Sequence, residues 1–499
     1  MFDLTIVLVA SAIFTFIYLW FMRPSVNLPP CPTRPLPFLG HLLTLEDNPR
    51  SQFKKWHQEL GDIYSLCMGS KLVVVVCGYD LIKELLLKRG DEFSHRPLLA
   101  IDQATPYPQK GLIFNNCQNW KEHRALSLQI LRDFGMGKNV LARAIQEEVG
   151  HFLDLLAEQR GEPTDIRVMT NVSIANVISS IVSGHRFDYD DEKFRNLVTN
   201  LAEIFEDQHF NAVLNFIPVL RYLPGDLFHI KKLKEIISDI YNFHSKFVNE
   251  TWASMEEDDK NVRESFISAY MSELKSKIRN GEPTYLNKES LLKTINDLFG
   301  AGTETTNTTI MWCFLYVLHH PEVQEKIYNE LQENVGTGRS PCISDKPNLT
   351  YLNAFIKESQ RLASVTPQGV THTCPRDVIV RGYTIPKGTY ISPNLDSVLH
   401  DPKIWGDDVM EFKPERFIDQ DGKLKTPEEF IPFSIGRRVC LGESLAVMEL
   451  FLYLSSIFHR FEILPATPGS PPPIKYKFGF TVSPALFQLR AIERTTHET

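Results

Sequence analysis

Residues Phe433 to Gly442, FSIGRRVCLG, place a single cysteine among glycines and arginines, directly before a hydrophobic run. That run, ESLAVMELFLYLSSIF, predicts a buried helix whose N-terminus carries partial positive charge. Arg437 and Arg438 add full positive charge near Cys440, and the glycines allow backbone N–H groups to approach its sulfur. We therefore predict that Cys440 is a thiolate, which can act as a nucleophile or a metal ligand. From this segment alone, a small buried apolar cysteine remains the alternative.

A second group of reactive side chains interrupts the helical pattern from Ser290 to Pro321, which is apolar at both ends and polar in its middle. Ala301 and Gly302 predict a smooth patch against which a flat ligand could press. Glu304 and Thr305 place an acid beside a hydroxyl that can bond back to the carbonyl four residues earlier and loosen the helix. Such a pair could relay protons. A solvated polar face of an ordinary helix is an equal alternative.

The spacing E-x-x-R places a carboxylate and a guanidinium one helical turn apart, where they can pair. It occurs at Glu358 and Arg361, and again at Glu192 and Arg195, where it predicts only a surface pair. Four hydrogen-bond donors from distant segments match what two buried propionates of a haem would need: Trp120, Arg124, His372 and Arg438. Taken one at a time, each of these donors is more simply explained as a surface cation or a core aromatic.

Composition excludes several classes of function. The chain of 499 residues has 61 acidic and 53 basic residues, a net charge of −8 and no basic tail, which argues against nucleic-acid binding. Its eight cysteines form no C-x-x-C pair, zinc spacing or covalent haem motif, and scattered thiols suit a reducing compartment. The sequence has neither a complete dinucleotide-binding loop nor a phosphate-binding loop, so electrons for any redox chemistry must come from another protein.

The N-terminus predicts attachment to a membrane. Leu4 to Met22 is an uncharged, largely apolar run of a length that spans a bilayer as a helix. It lacks the basic start and the small-residue cleavage site of a secretory signal, and the basic residues that follow it place the rest of the chain in the cytosol. We therefore predict a transmembrane anchor at 1–22, a stiff proline-rich linker at 23–40 and one large cytosolic domain at 41–499.

Periodicity predicts a chain that is mainly α with a minor β part. A hairpin with a Gly-Ser turn is expected between Tyr64 and Cys77, and strand character returns from Arg381 to Ser392. Charged loops are expected near 255–262 and 276–290. Helices are expected at 81–89, 117–131, 139–158, 171–183, 193–208, 229–254, 288–318, 322–334, 351–363 and 443–460.

Taken in order, these segments resemble the cytochrome P450 superfamily of haem-thiolate monooxygenases. The family signature F-x-x-G-x-R-x-C-x-G is met by Phe433, Gly436, Arg438, Cys440 and Gly442. Four further family patterns are met: A-G-x-E/D-T-T at 301–306, E-x-x-R at 358–361, P-E-R-F at 414–417 and W-x-x-x-R at 120–124. Shorter segments such as FSHRP at 93–97 are most similar to the microsomal animal subgroup that handles drugs, steroids and fatty acids. Two departures are the PPCP hinge and His123, which replaces an arginine and could weaken docking of a redox partner.

The resemblance implies a cytochrome P450 fold with haem b, iron protoporphyrin IX, as its cofactor. Cys440 would be the axial ligand of the iron, and Thr305, helped by Glu304, would deliver protons during dioxygen activation. The other implied haem contacts, including the propionate donors, are Trp120, Arg124, Ala301, His372, Phe433 and Arg438. A structural lock behind the haem would be formed by Glu358, Arg361 and Arg416.

By the same resemblance, the chain would insert one oxygen atom of O2 into a lipophilic small molecule such as a steroid, fatty acid or xenobiotic. Electrons would come from NADPH through NADPH–cytochrome P450 reductase, with cytochrome b5 as a further partner, on the cytosolic face of the endoplasmic reticulum membrane. The expected substrate contacts are Phe114, Phe205, Phe299, Ala301, Val370 and Phe480. The apolar segment 210–225 could dip into the bilayer or pack on the core. Two alternatives stay open: a reductase-independent haem-thiolate isomerase or dehydratase, and a non-enzymatic haem carrier or gas sensor.

Overall fold

The computed structural model describes residues 4–21, 27–135, 139–206, 213–257 and 264–494. Within these ranges the chain is mainly helical, with one four-stranded sheet and three two-stranded sheets, as the sequence predicts. Parts of several sequence predictions lie outside the described residues. These parts are the ends of the anchor and the start of the linker at 1–3 and 22–26, the end of the predicted helix at 207–208, the start of the apolar segment at 210–212, most of the predicted charged loop at 258–262, and the end of the large domain at 495–499.

The helices, numbered in chain order, agree well with the predicted periodicity. Their bounds are α1 Leu4–Phe21, α2 Arg50–Leu60, α3 Tyr79–Lys83, α4 Gly90–Phe93, α5 Ala100–Gln103, α6 Cys117–Asp133, α7 Asn139–Glu158, α8 Arg167–Ser183, α9 Glu192–Glu206, α10 Ile230–Glu257, α11 Phe266–Arg279, α12 Lys288–His319, α13 Pro321–Asn334, α14 Thr350–Ala363, α15 Asp396–Leu399, α16 Pro402–Trp405 and α17 Glu443–Arg460. A π-helical turn, Glu84–Lys88, continues α3. Short 3-10 turns lie at Leu42–Thr44, Pro218–Tyr222, Ile343–Asn348, Pro414–Phe417 and Gly436–Arg438. Each predicted helix is present, with ends that differ by a few residues.

Two of the longer helices, α2 and α11, are missing from the sequence predictions, as are the four-residue helices α4, α5, α15 and α16. The predicted charged loop at 276–290 is wrong over its first residues, which belong to α11. α11 begins at a capping box, in which the Ser265 hydroxyl accepts a hydrogen bond from the Ser268 backbone N–H at 3.2 Å and the Ser268 hydroxyl accepts one from the Ser265 N–H at 3.0 Å. Tyr270 and Met271 are buried against the core. Because the last turn of α11 carries basic residues, the charge pattern of the sequence predicted a loop there instead of a helix with an apolar face.

The four-stranded sheet joins segments that are far apart in the sequence. β1, Ile63–Met68, and β2, Lys71–Val76, form an antiparallel hairpin, which confirms the predicted one. β2 pairs in parallel with β6, Tyr390–Pro393, and β6 pairs in turn with β3, His372–Thr373. This pairing fixes the position of His372 relative to the N-terminal part of the chain. The remaining strands form two-stranded sheets: β4 Val378–Val380, β5 Tyr383–Ile385, β7 Phe461–Pro465, β8 Tyr476–Phe478, β9 Val482–Pro484 and β10 Leu489–Glu493.

The core is built around α12, which packs against α8, α14, α17 and β9. Asn287 caps the start of this helix by accepting a hydrogen bond from the Ser290 backbone N–H at 2.8 Å. At Gly302, a Cβ atom would lie only 2.8 Å from Cδ1 of Ile178 on α8, so the missing side chain lets the two helices approach. The predicted smooth patch for a ligand is therefore wrong for Gly302, which faces α8.

The N-terminal helix α1 presents its apolar side chains outward: Ile6 and Leu8, for example, are more than half exposed. Over the part of the chain that the structure describes, no helix has the length and apolar character needed to cross a membrane. The transmembrane anchor therefore stays a prediction.

Candidate active site

The loop before α17 holds Cys440 in a closed turn. Gly436 has a φ of +81°, and a Cβ atom there would lie 1.9 Å from the Leu86 carbonyl oxygen, so only glycine fits. The backbone N–H of Cys440 donates to the Phe433 carbonyl oxygen at 3.0 Å and closes the loop. Protein surrounds Cys440, yet its side chain remains accessible, so the sulfur faces an internal space rather than the packed core.

The charges around Cys440 differ from those the sequence suggests. Arg437 forms an exposed ion pair with Asp91 at 2.5 Å, and Arg438 turns to other partners. The cation that acts on the sulfur is Arg124 of α6, whose Nη2 donates to the Val439 carbonyl oxygen at 2.6 Å. Burial raises the pKa of Cys440, while backbone N–H groups and Arg124 oppose that rise. The predicted contribution of backbone N–H groups is present, at Gly442 and Glu443, but the predicted contribution of Arg437 and Arg438 is wrong. A bound metal ion would supply further positive charge.

Trp120 and Arg438 form the centre of a second group of side chains. The Arg438 guanidinium lies 3.7 Å from the centroid of the Trp120 ring, a cation–π contact. Arg438 also donates to the Ser94 carbonyl oxygen at 2.8 Å and to the Asn115 carbonyl oxygen at 2.6 Å. The indole Nε1 of Trp120 is buried and has no hydrogen-bond partner within the described ranges. A buried donor without an acceptor indicates a ligand that brings one.

Arg96 and Arg124 surround Arg438 with further positive charge. Burial and the charge of Arg124 lower the pKa of Arg96 to about 9. Burial, Arg96 and Arg124 lower the pKa of Arg438 to about 8, so it still carries its charge at neutral pH. No carboxylate of the described residues forms an ion pair with any of these three arginines, and the buried Nε of Arg96 has no hydrogen-bond partner there. Three cations without an anion fit the two carboxylates of a haem.

The predicted propionate donor His372 lies in this cation cluster, and Arg96 is a member that sequence reasoning missed. The His372 Nδ1 atom lies 2.6 Å from the Phe93 carbonyl oxygen, which orients the ring. Burial and Arg96 lower the pKa of His372 well below its ordinary value, so the ring is neutral. Arg96 belongs to the FSHRP segment, which was noted only as a family resemblance. Its burial and its reach to the Thr371 carbonyl oxygen at 2.9 Å depend on tertiary structure.

The polar turn of α12 presents two of its residues on one face. Ala301 is exposed, and the Thr305 hydroxyl donates to the Ala301 carbonyl oxygen at 2.7 Å, as the sequence suggests for a hydroxyl four residues later. Glu304 lies on another face, buried, with Oε1 accepting from the Thr308 hydroxyl at 3.1 Å. Its Oε2 has no partner among the described residues. Thr305 and Glu304 are thus neighbours in sequence whose side chains form no hydrogen bond with each other.

Burial raises the pKa of Glu304 to about 8, with the Thr308 hydrogen bond opposing the rise. The nearby Glu206 adds to the rise, and Arg167 opposes it. Arg167 and Glu206 form an ion pair at 3.0 Å. Glu304 is therefore an acid that holds its proton near neutral pH and can give it up when its surroundings change.

The predicted substrate contacts divide into two groups. Phe205 and Phe480 meet edge to face, with ring centroids 5.5 Å apart, and the Phe480 N–H donates to the Phe205 carbonyl oxygen at 3.1 Å. Phe299, in contrast, is fully buried, with its ring 4.8 Å from that of His244. Since residues two apart on a helix point about 200° apart, Phe299 points away from the face of Ala301. Phe299 as a substrate contact therefore stays a prediction that this packing does not favour.

The other two predicted substrate contacts, Phe114 and Val370, each lie beside a charged side chain. Phe114 is buried, and the Lys293 ammonium lies 5.6 Å from its ring centroid. Val370 is half-buried, and its carbonyl oxygen accepts a hydrogen bond from Arg96. Val370 thus connects a candidate substrate contact to the cation cluster.

Comparison with known proteins decides the family. The family model described as cytochrome P450 matches residues 29–491. The chain belongs to the cytochrome P450 family. It is 38% identical over 475 residues to cytochrome P450 2G1 of Oryctolagus cuniculus, with 94% of each chain covered. It is 38% identical over 477 residues to cytochrome P450 2D20 of Mesocricetus auratus, with 93% of each chain covered. It is 36% identical over 501 residues to cytochrome P450 2J3 of Rattus norvegicus, with 98% of this chain and 96% of the relative covered.

The chain is therefore a cytochrome P450 monooxygenase. Enzymes of this family use haem b and receive electrons indirectly, through a reductase. The residues of this P450 fit that cofactor: an accessible cysteine lies near an uncompensated cluster of buried cations and an unpartnered indole N–H. Cys440 would hold the iron, and Trp120, Arg96, Arg124 and Arg438 would bind the propionates.

The E-x-x-R pair of this P450 is completely buried. Arg361 donates to both carboxylate oxygens of Glu358, at 2.7 and 2.8 Å, and also to the carbonyl oxygens of Leu399 and Val409 at 2.8 Å each. Arg416 adds a third contact, with Nε 3.3 Å from Glu358 Oε1. The structure thus brings together the three residues expected to form a lock.

Proposed function

We propose that this P450 inserts one oxygen atom of O2 into a lipophilic small molecule, a steroid, fatty acid or xenobiotic, with electrons from NADPH delivered by NADPH–cytochrome P450 reductase. The observation that carries the proposal is the accessible Cys440 sulfur beside the cluster of buried cations. Thiolate-bound haem supplies dioxygen activation, since electron donation by the sulfur favours O–O cleavage. Cytochrome b5 is proposed as a second electron donor.

Within this proposal, Thr305 and Glu304 move protons. The Thr305 hydroxyl donates to the Ala301 carbonyl oxygen on the accessible face of α12. Rotation of the hydroxyl away from Ala301 would free its proton for a reacting oxygen atom. Glu304 holds a proton on the neighbouring face, where its Oε1 accepts a hydrogen bond from the Thr308 hydroxyl. A side-chain rotation or a bridging water would connect the two residues. The reductase-independent alternative requires no such proton supply.

The apolar character of the substrate is inferred from the aromatic residues. Phe205 and Phe480 form one wall and are partly accessible, and Phe114 lies on the loop before α6. A ligand that contacts these rings gains free energy in proportion to the apolar area it buries. Titration with steroids, fatty acids and xenobiotics, read from the shift of the haem absorption band, would identify the class. If only strongly polar compounds shift the band, this substrate assignment is wrong.

Catalysis is proposed to take place at the endoplasmic reticulum membrane, with the domain on the cytosolic face. The 3-10 turn Pro218–Tyr222 and the residues that follow it expose apolar side chains. Val219 is 67% exposed, Tyr222 is 81% exposed and Leu227 is 64% exposed. This surface would approach the bilayer beside the predicted anchor and admit lipophilic substrates. Deletion of residues 2–22 should weaken membrane attachment and leave a foldable haem protein. Glycosylation of the exposed Asn249 sequon in cells would contradict this topology.

The reductase assay separates the proposal from its alternatives. With purified reductase, NADPH and a binding substrate, the enzyme should consume NADPH and form a hydroxylated product. A haem carrier or sensor would bind haem and consume nothing. An isomerase or dehydratase would form product without NADPH or reductase. Matched variants test the ligand itself: Cys440→Ser should lose the reduced carbon-monoxide spectrum of thiolate-bound haem, and Cys374→Ser should keep it.

A further inference from the structure

Glu449 on α17 is a buried acid that no motif singles out. It is 1% exposed, and its Oε2 accepts a hydrogen bond from the Thr306 hydroxyl of α12 at 3.2 Å. Its Oε1 is also buried and has no hydrogen-bond partner in the described parts of the chain, where no basic side chain forms an ion pair with it either. Glu449 therefore links the helix that follows Cys440 to the helix that carries Thr305.

This environment favours the neutral carboxylic acid. A carboxylate with one hydroxyl partner and no cation would carry an uncompensated charge in a medium of low dielectric, which costs several kcal/mol. The acid avoids this cost by keeping its proton. Consistent with the geometry, burial raises the pKa of Glu449 to about 8, and the Thr306 hydrogen bond opposes that rise only in part.

A line of hydroxyl and carboxyl groups leads from Glu449 towards solvent. Tyr453 lies one helical turn further along α17, on the same face and close enough to interact electrostatically with Glu449. The Tyr453 hydroxyl lies 2.6 Å from the Ser173 hydroxyl of α8, which donates to Glu148 Oε1 of α7 at 3.2 Å. Glu148 pairs with Arg186 at 2.8 Å, and the Arg186 side chain is 31% exposed. The line thus ends at Glu148, whose side chain is 4% exposed and lies beside the partly exposed Arg186.

We propose that Glu449 is a proton-holding positioning residue, which ties Thr306 to α17 and exchanges its proton with solvent through Tyr453, Ser173 and Glu148. One bridging water between Glu449 Oε1 and the Tyr453 hydroxyl completes the line. Glu449 gives its proton to the bridging water, which passes one to Tyr453 as Tyr453 passes its own to Ser173 and Ser173 passes one to the Glu148 carboxylate. Glu148 then gives a proton to a solvent water beside Arg186, so one proton moves in all and no group changes oxidation state. Delivery of this proton to the Thr305 region of α12 rests on the proposed function. The exchange of the Glu449 proton with solvent does not depend on that function.

The test is infrared spectroscopy of the haem-loaded protein, in which a protonated carboxylic acid gives its own carbonyl stretching band. The difference spectrum of wild type minus Glu449→Gln should show this band, and transfer into D2O should shift it. Thr306→Val should move the band to a higher frequency, because the carboxyl loses its hydrogen bond. Glu449→Gln keeps a carbonyl oxygen that can accept from Thr306, so thermal stability and the thiolate carbon-monoxide spectrum should survive in this variant.

The exchange line is tested by the rate at which D2O shifts the Glu449 band. Tyr453→Phe and Ser173→Ala should each slow this rate by at least about tenfold, because each removes a proton carrier. The matched control is Tyr270→Phe, which removes a phenol hydroxyl that is also buried and hydrogen-bonded but lies outside the line, bonded to His123. It should keep the wild-type rate.

Two results would overturn the proposal: a wild-type protein without the Glu449 band, or variants of Tyr453 and Ser173 that exchange as fast as Tyr270→Phe. If Glu449→Gln fails to fold, the Thr306→Val shift still reports whether the acid is protonated. None of these readouts requires turnover. A protein that shows the band but forms no product with reductase would contradict the proposed function and leave this inference standing.

Discussion

The buried charge cluster around Glu358 allows a quantitative test of the architecture. Glu358→Gln keeps the shape of the side chain but removes its charge, which leaves the Arg361 guanidinium at 0% exposure without a counter-ion. The carboxylate accepts from Arg361 Nε and Nη2, from Arg416 Nε and from the Lys413 backbone N–H. An amide has only one oxygen for these donors, and its NH2 group would face a guanidinium N–H. Breaking a buried pair in this way costs about 3 to 5 kcal/mol.

This cost converts to a modest but measurable change in melting temperature. The entropy of unfolding is about 2.1 cal/mol/K per residue, or about 1 kcal/mol/K for the roughly 460 residues matched by the family. The midpoint should therefore fall by about 3 to 5 °C. The assay is thermal unfolding followed by circular dichroism, together with the carbon-monoxide spectrum to count molecules that retain thiolate-bound haem.

The same sequence spacing supplies the matched control. Glu192 and Arg195 also form an E-x-x-R motif, but both side chains are exposed on α9. Glu192→Gln should change the free energy of unfolding by no more than about 0.5 kcal/mol, because surface substitutions of this kind are nearly neutral. Equal midpoints for Glu358→Gln and the wild type, or equal losses in Glu358→Gln and Glu192→Gln, would refute the reasoning.

Three further predictions concern the active site. Thr305→Ala should retain substrate binding and NADPH consumption but lower the product formed per NADPH on the order of 10²-fold. The control Thr294→Ala, at a buried position of the same helix, should keep the wild-type ratio of product to NADPH. An unchanged ratio in Thr305→Ala would exclude the proton role. Gly436→Ala should abolish the thiolate carbon-monoxide spectrum, because its Cβ would overlap a backbone carbonyl, while Gly422→Ala, at φ +75° in open space, should keep it. Burial raises the pKa of Glu304 from 4.5 to about 8, so the unfolded chain releases a proton that the folded one retains, and stability should fall as the pH rises from 4.5 towards 8. Glu304→Gln should flatten this slope in pH-dependent unfolding; an unchanged slope would contradict the assignment.

The sequence by itself determined the features that depend on spacing. The glycine before Cys440, the apolar run after it and the E-x-x-R turn are local patterns, and the family signature made of them assigned the fold and the cofactor. The helix periods were also local, since an apolar residue every three to four positions forms one face wherever the helix packs. α2 and α11 were the exceptions among the longer helices. The start of α11 depends on a serine capping box, and the charged last turn conceals the buried face.

Tertiary structure decided which charges meet. Arg437 and Arg438 are the nearest cations to Cys440 in sequence, but Arg124 of α6 is the one that acts on its sulfur. Arg96 reaches the same region because its loop packs beside the sheet that holds His372, a contact between residues far apart in the chain. Coulomb interactions depend on distance in space and on burial, and neither can be read from separation in sequence.

The direction of single side chains was also settled only by packing. Phe299 and Glu304 lie close to Ala301 in sequence, yet the first is buried beside His244 and the second is buried beside Thr308. In the sequence, Glu449 is one polar position in an otherwise apolar helix. Its hydrogen bond with Thr306 forms only because α12 packs against α17. Helical periodicity fixes the angle between side chains, but the neighbours that each face meets are set by how the helices assemble.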